Sequence, residues 1–512
     1  MITQLSARYI LGFDGSRHVL VTDGHLVFED DRILYVGTDY SGPVDEHRDY
    51  GQSLITPGLI DLDALTDIDH MIIDSWPTPE TAPGLQWSRD YFQNRRHDVF
   101  TPEQRQTVRR FALAQLALHG VTTYMPIASE IHSAWAETFD ELAGMTETSL
   151  EIGLRGFLGP AYRSGVNVTD DDGERVVLFD EEEGRRGFAD ALRYLDYAAE
   201  LDHPLVTGVL LPCRIETLSD DLMRDTARAA VERDALVRLH CLQSPAEDDF
   251  LSERVGRTTL EQLADTGLLD ARLLIPHGIV IDALEPAATR DGGPLDVLAH
   301  NDVSIVHCPL TSFHYSKALK SFDAFKAAGV NLCLGTDSFP PDLIKGIDVG
   351  THLARLVEER LDAGRISDFF DAATLGGAAA LGRSDLGRLA PGAQADVMIA
   401  SLGDFRDGAV EDPLRTLILN GSARNVTDTF VAGRPVVVGG RLPGVDLEGL
   451  RAEGQALFDQ MVAAYSERDY RGRATAELFP ATYPAAQQAA HQAAQQAEPV
   501  DEHAGPRLPS QL

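Results

Sequence analysis

The sequence predicts a (β/α)8 barrel of the TIM type, in the α/β class, with a small β-sandwich built from its N- and C-terminal segments. Three observations carry that prediction. Eight apolar strand-like runs recur between residues 53 and 337, each followed by a helical pattern. Short alternating strands with Gly turns precede these units and return after them. At 512 residues the chain exceeds one ordinary domain but fits one large barrel plus additions.

Taken in order, residues 1 to about 53 alternate apolar and polar side chains, as in ARYILGF and HLVFEDDRILYVG, with Asp-Gly and Gly punctuation. The barrel strands are expected at 53–63, 120–127, 152–160, 206–212, 235–241, 271–278, 303–309 and 330–337. They are continuously apolar, as buried parallel strands are, because helices cover them on the outer side. The helical segments between them include TPEQRQTVRRFALAQLALHG, which opens on Thr-Pro-Glu and stops at Gly120. SDDLMRDTARAAVERD is a second. Strand–helix alternation over roughly 300 residues argues a barrel with its site at the C-terminal strand ends. GRLAPGAQADVMIA and NVTDTFVAGRPVVVGGR then return to short strands, expected to pair with the N-terminal ones. The expected division is 1–55 with 376–440 as the β-sandwich, 56–375 as the barrel and 441–482 as a helical segment. Residues 483–512 are Ala/Gln-rich, then Pro-rich, and are expected to be a helical extension or a disordered tail.

Composition narrows the partners. The 80 Asp and Glu outnumber 44 Lys and Arg, giving a net charge of -36. Nucleic-acid binding needs clustered cations to neutralise phosphates, so that class is excluded, as is an anionic membrane surface. The acidic runs at 170–174 and 180–184 read as solvated faces. No run of eighteen apolar residues exists, so no membrane span is expected, nor does the start read as a signal peptide. Cys213, Cys241, Cys308 and Cys333 show no paired spacing and read as buried free thiols, which fits a reducing cytoplasm. The expected partners are a small-molecule substrate and further copies of the chain, in a homo-oligomer such as a dimer.

The informative residues are the polar ones at the predicted strand ends. These are Asp61 and Asp63 on the first, His240 on the fifth, His277 on the sixth, His307 on the seventh and Asp337 on the eighth. A lone strand histidine is usually a satisfied core residue. A ring of imidazoles closed by carboxylates is costly to bury unless it is hydrogen-bonded or holds a metal.

With those residues in place, the chain resembles the amidohydrolase superfamily, and within it the triazine hydrolase, cytosine deaminase and guanine deaminase branch. The matching pieces are PGLIDLD (57–63), HGVTTY (119–124), HCLQ (240–243), PHG (276–278), HCPLTS (307–312) and AGVNLCLGTDS (328–338). Beyond them, 373–400 and 426–437 match the family's C-terminal pattern, so the resemblance covers about residues 1–440. It implies one divalent metal, zinc or iron, held by Asp63, His240 and Asp337, with His277 as a further candidate ligand. It also implies Asp337 and His277 as catalytic residues. Gln243, His307, Ser338 and Trp87 are the candidate substrate contacts.

The chain departs from the family pattern at two places. The strand-one HxH pair is replaced by Asp63 and Leu65, and the proton-shuttling Glu is replaced by Gln243. A carboxylate can ligate, Leu cannot, and a neutral amide carries no proton. His70 stands where it could bend back as a substitute ligand, although a loop histidine is its plainer reading. A metal-free barrel therefore stays open beside the metal site. The segment 70–97 carries Trp76, Trp87, Tyr91, Phe92 and Arg95-Arg96, and reads either as a lid or subunit contact or as packing on a neighbouring loop. After strands seven and eight, His314, Lys317 and Asp342 are candidate substrate contacts or plain loop residues. The expected activity is hydrolysis of a C–N bond, or loss of a related leaving group, on a small nitrogen heterocycle by activated water. The alternatives are a barrel that binds without turnover and a metal-independent lyase or isomerase.

Overall fold

In the computed structural model, residues 1–68, 78–127, 135–281 and 292–483 are described. His70 and Trp76, and the expected tail from residue 484 onward, lie outside them. The apolar runs form eight parallel strands: β1 (Leu59–Leu65), β2 (Val121–Ile127), β3 (Arg155–Leu158), β4 (Val206–Gly208), β5 (Val237–Arg238), β6 (Leu273–Pro276), β7 (Val303–His307) and β8 (Asn331–Leu334). A helix follows each strand, from Pro102–Leu118 after β1 to Leu343–Glu358 after β8. Hydrogen bonding groups the strands into two four-stranded sheets, β1 to β4 and β5 to β8. At one seam the Leu210 amide donates to Leu236 and the Arg238 amide to Leu210. At the other, the Asp337 amide donates to the carbonyl of Asp63 at 2.8 Å. One buried cluster draws Ile60, Met125, Phe157, Val209, Leu236, Leu274, Val306 and Cys333 from the eight strand–loop units, so both sheets share an interior.

Local chemistry sets the element boundaries. The helix Pro102–Leu118 begins where Thr101 and Gln104 cap each other, the Gln104 amide donating to Thr101 Oγ1 at 3.2 Å and the Thr101 amide to Gln104 Oε1 at 2.9 Å. Such a cap contributes about 1 kcal/mol. The predicted first strand is divided: Ser53–Pro57 joins the outer sheet, and the parallel strands begin at Leu59. The break falls at Gly58, whose amide donates outward to Asp396.

The outer sheet joins the two chain ends, as expected. Ser53–Pro57 pairs antiparallel with Val397–Ser401, Ile55 opposite Ile399, and pairing runs through eight strands in one ladder. Buried Arg155 of β3 ties this sheet to the parallel strands through a two-pronged contact with Asp396, both at 3.2 Å. The C-terminal helix Leu447–Arg468 packs Leu457, Met461 and Tyr465 against Val108 and Phe100. No helix among the described residues is long and apolar enough to cross a membrane.

Asp61 clamps the seam between β1 and the end of β8. It accepts from Thr336 Oγ1 at 2.7 Å and from the Thr336 amide at 3.0 Å, and all three groups are buried. Replacing Asp61 with Ala strands both Thr336 donors without water. A loss of about 1–3 kcal/mol for each stranded donor is expected in urea unfolding.

Candidate active site

Three ligand-type side chains meet at the strand ends. Asp63 from β1, His240 just past β5 and His277 just past β6 each offer one ligand atom, all within 4.8 Å of one another and all buried. His240 Nε2 lies 3.3 Å from Asp63 Oδ2, and His277 Nε2 lies 3.7 Å from Asp337 Oδ2. His240 Nδ1 is 3.2 Å from the Cys213 carbonyl, which directs Nε2 inward. Backbone strain aims two of these groups. His277 has φ 74° and Asp337 φ 39°, a left-handed region that costs a non-glycine residue about 1–3 kcal/mol. In β6 the Leu274 side chain points inward; the turn at His277 breaks the pleat and brings the imidazole in as well. Gly335 permits the approach of β1 to β8, because a Cβ there would lie 2.5 Å from Asp63 Cβ and 2.9 Å from its amide nitrogen.

Arg238 was not among the sequence candidates. Its Nη1 stands 3.1 Å from Asp63 Oδ1, with both side chains almost fully buried. A cation inside the apolar run ALVRLHC, two residues before His240 and so on the same strand face, was the available signal. Burial alone would push the Asp63 carboxyl up. The permanently charged Arg238, 3.1 Å away, opposes that burial and the carboxyl is held below its ordinary value, as the anion. Burial pulls His240 and His277 down, so both imidazoles are neutral at neutral pH.

The set fits a divalent metal. His240 Nε2 and His277 Nε2 are buried with no hydrogen-bond partner among the described residues, Asp63 Oδ1 has only its ion pair with Arg238, and two imidazoles with a carboxylate are a competent donor set. The group brings together Asp63, His240 and the further candidate His277, with Asp337 Oδ2 beside the last at 3.7 Å.

A cavity of about 370 Å³ opens over this cluster, lined by His240, His277, Arg238, Asp337 and Gln243. Gln243 accepts from Arg214 through its side-chain oxygen. Lys317 also lines the cavity, whereas Asp342 caps the helix that follows it. Glu247, not foreseen in the sequence, lines the wall too; burial and Glu216 push its carboxyl up to about 8. Trp87 stacks near Phe92 and under Arg163, behind Leu85 and Gln86, which do face the cavity. Ser338 is buried beside Asp337 outside the cavity lining. His307 does not join the cluster. Val306 points into the shared interior, so His307 points outward between Phe322 and Phe369.

The profile of the amidohydrolase family matches residues 54–436. Among similar proteins, an 8-oxoguanine deaminase of Pseudomonas aeruginosa is 27% identical over 456 residues, covering 88% of this chain and 96% of that protein. A 5-methylthioadenosine/S-adenosylhomocysteine deaminase of Pyrococcus horikoshii is 25% identical over 447 residues, covering 85% and 95%. Two solved structures share the fold. A triazine hydrolase from Arthrobacter aurescens has TM-score 0.74 at 19% identity, covering 89% of this chain and 99% of its own. An adenosine deaminase from Xanthomonas campestris with bound zinc has TM-score 0.71 at 21% identity, covering 90% and 98%.

Two outcomes test this geometry. Arg238→Met leaves Asp63 buried without its cation and is expected to cost about 3–5 kcal/mol in chemical unfolding; adding Asp63→Asn should restore part of that loss. His307, held down to about 4 by burial, stays neutral in the fold but protonates near 6.5 when unfolded. Its contribution to stability is therefore lost as pH falls from about 6.5 through 4. His307→Leu should flatten that slope in denaturation curves run across the window.

Proposed function

The chain belongs to the amidohydrolase family, and we propose that it hydrolyses a C–N bond of a small nitrogen heterocycle, releasing an amine or a related leaving group. The observation that carries the reading is the convergence of Asp63, His240 and His277 beside Asp337 under a cavity of heterocycle size. The deaminases among its relatives support it. Family membership implies a TIM-barrel α/β fold. We take the eight parallel strands as that barrel over 56–375, and the outer sheet of 1–55 and 376–440 as the small β-sandwich.

Asp63, His240 and His277 would hold one divalent cation, with Asp337 next to it. Such a cation supplies Lewis acidity, lowering the pKa of water toward neutrality and polarising the ring. The chain's own residues do the rest. His277, as a neutral imidazole 3.7 Å from Asp337, positions that carboxylate beside the ring. Asp337 takes the proton of the attacking water on its carboxylate and returns it to the departing nitrogen. Gln243 cannot share that transfer, so one carboxylate carries both proton steps. Arg238 keeps Asp63 ionised. Trp87 anchors the segment whose Leu85 and Gln86 screen the cavity from water. Four buried free thiols support a cytoplasmic setting, and a homo-oligomer, such as a dimer, is our reading of its assembly.

A second reading has its own support. The buried Arg238–Asp63 contact and the amide at Gln243 suit a barrel that binds without turnover, or one that runs acid–base chemistry as a lyase or isomerase without metal. Ammonia release from aminopurines, aminopyrimidines and aminotriazines, together with elemental analysis of the purified protein, separates them. Turnover with close to one equivalent of zinc, iron or manganese is expected, and Asp337→Asn should lower kcat by about 10²–10⁴. Metal-free protein inert toward all three ring classes would leave the binding reading standing.

A further inference from the structure

We propose that Arg473 is a positioning residue for the cavity: with Asp469 it pins the cavity's roof, residues 80–86, to the C-terminal appendage, and so sets access to the strand-end site. The inference goes beyond the reading above and holds whichever reaction the cavity serves. The roof is the short turn Ala82–Leu85 with Gln86 behind it. Ala82, Leu85 and Gln86 line the cavity. The turn has no side-chain cap of its own, and so short a piece does not hold its shape in isolation. Its position comes from what it packs against on two sides.

On one side stands the hairpin of Gly165–Thr169 and Arg175–Phe179, which lines the cavity through Asn167 and Arg175. Thr169 Oγ1 donates to the Pro83 carbonyl at 2.8 Å, and Trp87–Ser88 pairs with Val168 and Thr169. On the other side stands the chain that follows the helix Leu447–Arg468, outside the residues 54–436 that the family profile matches. Arg473 Nη1 donates to the Glu80 carbonyl at 2.6 Å. The same guanidinium grips Asp469, Nε to Oδ2 at 3.0 Å and Nη2 to Oδ1 at 2.7 Å. The Asp469 side chain has no solvent exposure, and it also accepts from the Arg471 and Arg473 amides. A two-pronged, charge-assisted contact of this kind fixes orientation as well as distance. The fit is tight at Gly84, where a Cβ would lie 2.5 Å from Asp469 Oδ1 and 2.6 Å from Leu478 Cδ2. Leu478 is buried with Leu457 and Met461, and Leu85 packs on that cluster from the roof. Leu85 therefore has the cavity on one face and the appendage on the other. Tyr470 reaches the hairpin as well: a Cβ at Gly173 would meet its hydroxyl oxygen at 2.8 Å. The segment from Asp469 to Arg473 thus holds both walls of the cavity's mouth.

The chain's own thiols report the roof. Cys213 lines the cavity and is 8% exposed, whereas Cys241, Cys308 and Cys333 are 0% exposed. Local opening of the roof bares Cys213 alone, and global unfolding bares all four. The full chain is labelled with iodoacetamide in native buffer, and each cysteine is followed by peptide mass spectrometry. Arg473→Met should speed labelling of Cys213 about tenfold, with the other three thiols at their wild-type rates. Gly84→Ala leaves Arg473 and Asp469 in place but wedges their contact with the roof apart, and should do the same. An unchanged Cys213 rate in both variants overturns the inference. A rise shared by all four thiols also overturns it, because that marks loss of overall stability rather than of the roof's position. Should Arg473→Met fail to fold, Gly84→Ala decides by itself.

Discussion

Asp63 is a carboxylate with no solvent exposure, and the centre of the molecule is arranged around keeping it charged. An isolated buried carboxylate would take up a proton rather than remain ionised. Here Arg238 reaches the carboxylate from β5, and His240 Nε2 stands 3.3 Å from it; separately, the Asp337 amide bonds the main-chain carbonyl of Asp63 from beyond β8. Gly335 is glycine because any Cβ would collide with it. One side chain on the first strand thus fixes the identity of residues on the fifth and eighth, and joins the two four-stranded sheets at their open seam.

That arrangement gives the site its electrostatic character. A buried carboxylate sits among imidazoles, and a guanidinium stands beside it to balance its charge. The consequence is a cluster in which His240 and His277 stay neutral while Asp63 stays charged. Neutral imidazoles with an anionic carboxylate are the protonation states a divalent metal needs. The same guanidinium, 3.1 Å from one carboxylate oxygen, also offers a positive charge that requires no metal. The two functional readings differ in which cation Asp63 serves.

Much of this was legible in residue order. The strand–helix alternation follows from continuously apolar runs, and the helix at Pro102 from its Thr101–Gln104 cap, because both are local patterns with local physical causes. Asp63, His240 and His277 could be chosen because polar groups in apolar strands must be satisfied somewhere. What the sequence could not decide was direction and company. His307 looked equivalent to His240 until strand parity turned it outward between two phenylalanines. His277 joined the cluster through a left-handed backbone that no spacing rule anticipates. Arg238, Arg214 and Glu247 became site residues only when segments distant in the chain were brought together. The sequence by itself determined the strands and the ionisable groups they carry, since those depend on neighbours a few residues away. Tertiary structure decided which of these groups share one buried volume, and the cost of leaving charge unpaired there set their partners and their protonation.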